Sequence, residues 1–316
     1  MPRVGFVGLG KMGLPMARRL VAAGLDPLVY DVADGPRRAL AGQGARVATS
    51  LRALGEASDV IGVCVPADEH VRAVCEGDAG LVAAARSGSV IAIHSTVRPA
   101  TIVELGHAAS ARGLGLLDAC ISGGEVGAAD GTLVYMVGGA GEDVERCRPL
   151  FEATGKLVVH TGPLGTGTRM KLCNNAMSYV TLRAVFEAWR LAKNAGFSDA
   201  MFEEVTLASG VLSDRMRSYF VSLKLPPEVV ATDAVRGRLA HYATVADKDL
   251  AIAFELASAL DVDLPATRLC AEAVGEIYQQ MPAEGQVTGL HEPMGSERDQ
   301  AAGRAGFSLP KTTRRL

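Results

Sequence analysis

Gly8-Leu9-Gly10-Lys11-Met12-Gly13 stands between an apolar run, Val4-Gly5-Phe6-Val7, and the stretch Leu14-Pro15-Met16-Ala17-Arg18-Arg19-Leu20. A strand over Val4–Gly8 that breaks into glycines and continues as a helix over Leu14–Ala23 is the setting in which G-x-G-x-x-G carries meaning. Gly8 permits the tight turn, Gly10 lets a pyrophosphate approach the backbone, and Gly13 allows helix and strand to pack closely. Backbone N–H groups of this loop and a helix N-terminus are then aimed at phosphates. Eighteen residues after Gly13, Asp31 ends the next apolar run, Val29-Tyr30-Asp31. A carboxylate there accepts from ribose hydroxyls and repels a 2′-phosphate, so the expected cofactor is NAD, with NADP possible because Arg37 and Arg38 follow on the next helix.

Working outward, short β-branched runs alternate with Ala- and Arg-rich amphipathic stretches as far as Thr161, the pattern of βα units around a parallel sheet. Strands are expected at Val4–Gly8, Pro27–Asp31, Asp59–Val65, Ser89–Ile93, Gly115–Asp118, Leu133–Val137 and Leu157–His160. The unalternating run Val60–Pro66 reads as a central strand covered on both faces. Beyond Gly162 the strand signals stop. Between Leu172 and Ala192, 14 of 21 residues are apolar or aromatic and occupy every face, which predicts a helix buried on all sides. Further helices fit Asp199–Ala208, Ala243–Leu260 and Pro265–Met281. The expected fold is α/β: an N-terminal Rossmann-type doubly wound sheet (1–162) and a C-terminal all-helical domain (163–281), joined by a long buried helix. Residues 282–316, rich in Gly, Pro, Ser and charge, read as a mobile or arm-like tail.

The 316 residues correspond to about two domains of ~150 residues. Thirty-two Lys and Arg against 35 Asp and Glu leave a net charge of -3, which argues against nucleic acid or an anionic membrane as a partner. The six cysteines form no C-x-x-C pair and no cluster at metal-ligand spacing, so no metal is expected and a reducing cytoplasm is the simplest setting. The N-terminal run is too short and glycine-broken for a signal peptide or a membrane span. A small molecule and further copies of the chain, as a homodimer or homotetramer, are the expected partners.

Two segments carry candidate chemistry. Asp118-Ala119-Cys120-Ile121-Ser122-Gly123-Gly124, followed by Gly127-Ala128-Ala129-Asp130-Gly131, reads as a glycine-rich loop after a strand, where a hydroxyl and exposed amides can hold a carboxylate. Gly165-Thr166-Gly167 leads into Lys171, Asn174 and Asn175 at the head of the apolar helix. Lys171 and Asn175 are four apart and share a face. An amine in a partly desolvated cleft is a usable proton donor or acceptor, and an amide orients a hydroxyl; an amine in water at a wet helix end is the alternative.

With Lys248-Asp249-Leu250, these motifs fall in an order that resembles the β-hydroxyacid dehydrogenases, whose best-known members are 3-hydroxyisobutyrate dehydrogenases, over about residues 3 to 281. The resemblance implies that Lys171 is the general acid/base, that Ser122, Gly123 and Gly124 hold the substrate carboxylate, and that Asn175, beside Asn174, positions the substrate. It also implies that Thr96 and Lys248 line the nicotinamide side and that Val65 and Pro66 touch the cofactor. The implied reaction is NAD(P)-dependent oxidation of a β-hydroxy acid to a semialdehyde or ketone, or its reverse. A tartronate semialdehyde reductase and a catalytically silent cofactor-binding module are the alternatives. Cys120 stands where that family usually has proline.

Overall fold

The computed structural model describes residues 1–213, 216–217, 220 and 224–279. The sheet-forming part runs β1 (Val4–Val7), α1 (Gly13–Ala22), β2 (Leu28–Tyr30), α2 (Asp34–Ala41), β3 (Arg46–Val47), α3 (Leu51–Ala57), β4 (Val60–Val63), α4 (Asp68–Cys75) and α5 (Leu81–Ala84). It continues through β5 (Val90–Ile93), α6 (Pro99–Ser110), β6 (Gly115–Ser122), α7 (Gly124–Asp130), β7 (Leu133–Gly138), α8 (Gly141–Thr154) and β8 (Gly155–Gly162). Then come α9 (Thr166–Asn194), α10 (Asp199–Ala208), α11 (Pro227–Val230), α12 (Asp233–Ala259) and α13 (Pro265–Gln279). The described residues belong to one compact unit. The expected tail lies outside the described residues.

The eight strands are ordered β3-β2-β1-β4-β5-β6-β7-β8. Every pairing is parallel except β6 with β7, so the sheet is mixed rather than wholly parallel. Alternation sorts the strand residues onto two faces. Val4, Phe6, Val60, Val90 and Leu117 pack with Met16 and Leu20 of α1 and Phe151 of α8. Val7, Ile61, Val63, Ile91 and Ile93 pack with Leu54, Val71 and Leu105 of α3, α4 and α6. Helices therefore cover both faces, the doubly wound architecture expected from the apolar runs. A third cluster, including Leu182, Phe186, Phe220, Ala246 and Leu250, holds the helical part together.

This topology collects one edge. The C-terminal ends of β1, β2, β4, β5 and β6 all point the same way, and the order reverses between β1 and β4, the crevice where open α/β sheets bind ligands. Gly8, Asp31, Val65, Thr96 and Ser122 are the residues at or just beyond those ends.

Two expectations are corrected by the packing. The segment Asp118–Ser122 is not loop: β6 runs on to Ser122 because β7 pairs with it antiparallel, Asp118↔Gly138 through Ser122↔Val134. Only Gly123 and Gly124, at φ +145 and +67, make the turn into α7, and Gly127 to Asp130 are helical. The long helix is not buried on every side either. Its buried residues form one stripe, Thr168, Lys171, Leu172, Asn175, Leu182, Val185 and Phe186, while Met170, Met177 and Leu191 are 49%, 68% and 73% exposed. The sheet covers one side of its beginning, and α12 and α13 cover the same stripe further on.

His94, next to the Ser95-Thr96 pair, belongs to the core. Its ring stacks on Phe6 at 5.9 Å and meets Tyr135 edge-on at 5.7 Å. Nδ1 donates to Ala119 O at 3.0 Å, and Nε2 has no partner among the described residues. Burial pushes its pKa from 6.5 down to about 4. Above pH ~6.5 the ring is neutral whether the chain is folded or not; as pH falls, the unfolded chain takes up the proton first, so stability is lost toward pH 4. At ~1.4 kcal/mol per unit, this amounts to roughly 3 kcal/mol. His94→Gln, which keeps a donor for Ala119, should flatten the pH dependence of urea unfolding by about that amount between pH 7 and 4.

Candidate active site

The crevice between β1 and β4 is built for an anion. Gly8 sits at φ +91, and a Cβ there would come within 2.2 Å of Cys64 O. The exposed Gly10 has no heavy atom within 4 Å of where a Cβ would be, so open space lies above the loop. α1 begins with no acidic residue in its first turn and no side-chain cap, which leaves its positive end to a ligand. Asp31 braces this loop: Oδ2 accepts from Leu9 N at 2.6 Å and Oδ1 from Ala33 N at 2.8 Å. Each oxygen keeps further acceptor capacity for a ribose hydroxyl. Arg37 pairs with Asp34 and lies over the Tyr30 ring, 5.7 Å from its centroid. These residues fit a dinucleotide.

Along the same edge, the Ser95 hydroxyl accepts from Val65 N at 3.0 Å and donates to Val65 O at 2.6 Å, clamping the β4 exit that leads to Pro66. Lys248 Nζ reaches across from α12 to donate to Thr96 O at 2.5 Å and lies 2.9 Å from Asp249 Oδ1. Lys248 is thus paired with its neighbour and held against the chain just beyond β5 rather than in open water.

Beside β6, α9 advances in step with the strand. Asp118 accepts from Gly165 N and Thr168 N, the Cys120 thiol meets Thr168 Oγ1 at 3.6 Å, and Asn174 Nδ2 donates weakly to Ser122 Oγ at 3.4 Å. Lys171 falls between the last two contacts. It is 9% exposed and close enough to exert an electrostatic effect on Cys120, whose thiol burial pushes to about 12. Cys120 is therefore a strand-to-helix contact, not a hinge of a carboxylate-binding loop. Asn175, 8% exposed, donates to Asp249 Oδ2 at 2.7 Å, and the Tyr179 hydroxyl donates to the same oxygen at 3.3 Å.

Asp249 is the acceptor that gathers Asn175 and Tyr179, with Lys248 ion-paired to its other oxygen, and its role was not assigned from sequence. An acid inside the Ala-rich stretch Ala243–Leu256 was the available signal. Also missed was a bridge between the two parts: the Tyr242 hydroxyl donates to Glu125 Oε1 at 3.1 Å, and Lys11 Nζ lies 5.5 Å from the Tyr242 ring centroid. Tyr242 precedes Asp249 by seven residues, two helical turns, and so shares its face of α12. His241 is exposed beside it, its pKa lowered by burial and by Lys11. Among the described residues no cluster of His, Cys, Asp or Glu could hold a metal, and no helix is long and apolar enough to cross a membrane.

The arrangement puts a dinucleotide crevice on the sheet edge that also carries the nearly buried Lys171 and the Gly123–Gly124 turn. Comparison with known proteins agrees. Residues 3–162 match the family model described as the NAD binding domain of 6-phosphogluconate dehydrogenase. Residues 165–293 match the one described as NAD-binding of NADP-dependent 3-hydroxyisobutyrate dehydrogenase. The 3-hydroxyisobutyrate dehydrogenase of Pseudomonas aeruginosa is 33% identical over 284 residues, 90% of this chain and 94% of that protein. The NAD-dependent L-serine dehydrogenase of the same organism is 39% identical over 205 residues, 65% of this chain and 69% of that one. A solved structure of Mycobacterium tuberculosis 3-hydroxyisobutyrate dehydrogenase with L-serine superposes with a TM-score of 0.71 at 29% identity, covering 87% of this chain and 93% of that one. The chain accordingly belongs to the 3-hydroxyisobutyrate dehydrogenase-like β-hydroxyacid dehydrogenases of the 6-phosphogluconate dehydrogenase superfamily, NAD(P)-dependent oxidoreductases acting on CH–OH groups.

Proposed function

We propose that the protein oxidises a small β-hydroxy carboxylate of the 3-hydroxyisobutyrate or serine type to its semialdehyde, and reduces it in reverse, with Lys171 as the general acid/base. One observation carries this reading: Lys171 is only 9% exposed and acts electrostatically on Cys120 of β6, and it lies on α9 between Thr168, which meets Cys120, and Asn174, which meets Ser122. Ser122 and the amides of Gly123 and Gly124 bind the substrate carboxylate, and the open φ of both glycines keeps side chains out of that turn. Asn175, held by Asp249, orients the hydroxyl toward Lys171. Lys171 accepts the hydroxyl proton during oxidation and returns it during reduction. A bound nicotinamide supplies the hydride acceptor or donor. Thr96 and Lys248 line its side of the pocket, Val65 and Pro66 bound the crevice, and the Tyr242–Glu125 bridge limits the substrate to a small molecule.

The preferred cofactor in this reading is NAD. The Asp31 carboxylate opposes a 2′-phosphate, and Arg37 is neutralised by Asp34 rather than offered to one. Residues 1–162 serve as the cofactor part and 163–281 as the substrate and oligomerisation part. A homodimer or homotetramer would cover Met177, Leu191, Phe197, Met201 and Val205, each more than half exposed. The decisive experiment follows NADH or NADPH formation over a panel of 3-hydroxyisobutyrate, 3-hydroxypropionate, serine and glycerate. At least one acid should turn over, with kcat/KM for NAD at least about tenfold above NADP, a difference of ~1.4 kcal/mol. Absence of turnover with every acid would overturn the substrate class, and an NADP preference would overturn the role of Asp31.

A further inference from the structure

We propose that Asp118 is a positioning residue for the reaction, fixing the axial position of α9 and hence the distance between the Lys171 amine and the Ser122–Gly124 turn. The inference rests on the reading of Lys171 as acid/base. The N-cap of α9 is Gly165 at φ +91, which has no side chain to accept from the first-turn amides. A capping box would satisfy the N–H groups of the N-cap and of the third helical residue with two local side chains. Here one carboxylate from a strand satisfies both: Oδ1 accepts from Gly165 N at 2.9 Å and Oδ2 from Thr168 N at 2.7 Å. Asp118 is fully buried, and its charge lies at the positive end of a 29-residue helix.

The packing around this cap leaves little play. A Cβ on Gly138 would come within 2.4 Å of Asp118 Oδ1, and one on Gly167 within 2.2 Å of Asp118 O. The helix is therefore seated directly on β6 and β7. Strand and helix then advance together. The four steps along β6 from Asp118 to Ser122 rise about 13 Å. The nine steps from Gly165, the N-cap of α9, to Asn174 rise about 13.5 Å. The Ser122–Asn174 contact closes the far end of that ladder. Lys171 lies three residues, about 4.5 Å, beyond the capped Thr168 amide. Loss of the cap lets the first turn fray or slide, and a misplacement of about 1 Å in a reacting group costs on the order of 10²-fold.

Asp118→Asn keeps an acceptor for one of the two amides. It should lower kcat by about 10- to 100-fold and raise the KM for the hydroxy acid. The NADH Kd, read by fluorescence, should stay within about twofold because the crevice at Gly8–Gly13 is untouched. Amide hydrogen exchange should lose protection at residues 165 to 170 and keep it along β6. Leu54→Ala, a core truncation in α3 that costs roughly 2–5 kcal/mol, should leave kcat within about twofold. Wild-type kcat in Asp118→Asn, an equal loss of kcat in Leu54→Ala, or failure of Asp118→Asn to fold would each overturn the positioning role. Failure of the parent reading looks different: Lys171→Met would then be active. An inactive Lys171→Met beside a fully active Asp118→Asn removes only the inference made here.

Discussion

Replacing Lys171 by methionine is expected to lower kcat by at least about 10²-fold, the usual contribution of a general acid/base, while the NADH Kd changes by less than about twofold. Methionine has nearly the length of the lysine stem and is apolar, so the buried stripe of α9 stays filled and only the titratable nitrogen is removed. The proton released by the substrate hydroxyl then has no acceptor in a site already screened from water by β6 and α12. Asn175 cannot replace it, because its amide has no titratable nitrogen and its NH₂ is committed to Asp249. Steady-state turnover and NADH fluorescence titration on one preparation check both halves, and near-normal turnover would remove Lys171 from the chemistry.

Gly13→Ala should damage the cofactor site through the backbone. A Cβ on Gly13 would lie 1.9 Å from Gly8 O, 2.9 Å from Gly8 C and 3.2 Å from Phe6 Cε1. None of these can move aside. Gly8 N is hydrogen-bonded to Tyr30 O at 3.0 Å, the far side of Gly8 faces Cys64 O, and the Phe6 ring is fully buried. α1 must lift off β1, which strains the loop by several kcal/mol and should weaken NADH binding by more than about tenfold, a loss of at least ~1.4 kcal/mol. Gly10→Ala is the informative contrast. The chain itself has room for that methyl, so the melting temperature should hold while NADH affinity falls. Equal effects of the two changes on stability would mean that the glycines play no separate roles.

The parts of this fold that could be read from sequence are those whose signal is local. Val60–Val63 is a strand because an apolar run without alternation fits a doubly covered sheet. α10 runs Asp199–Ala208 as expected, with Ser198 accepting from Met201 N. Gly8 to Gly13 and Asp31 meet across β1 and β2 as their spacing implied. What escaped depends on distant partners. β3 is only Arg46 and Val47, both exposed, and is a strand solely because β2 lies beside it. The glycines after Ser122 suggested a loop from Asp118 onward, whereas pairing with β7 carries β6 to Ser122. α12 starts ten residues before Ala243, through Asp233–Tyr242, where charge interrupts the apolar pattern. Asp118 and Asp249 were visible as acids, but the amides and side chains they serve lie 47 or more residues away in the chain.

α9 belongs to two neighbourhoods at once, with its first turn hydrogen-bonded into β6 and its later turns packed with α12 and α13. A chimera spliced between Gly162 and Thr166 would bring together a donor strand and a recipient helix that had never been matched to each other. Functional recombinants within this lineage should accordingly inherit residues 118 to 175 from a single parent, together with Asp249, the partner of Asn175.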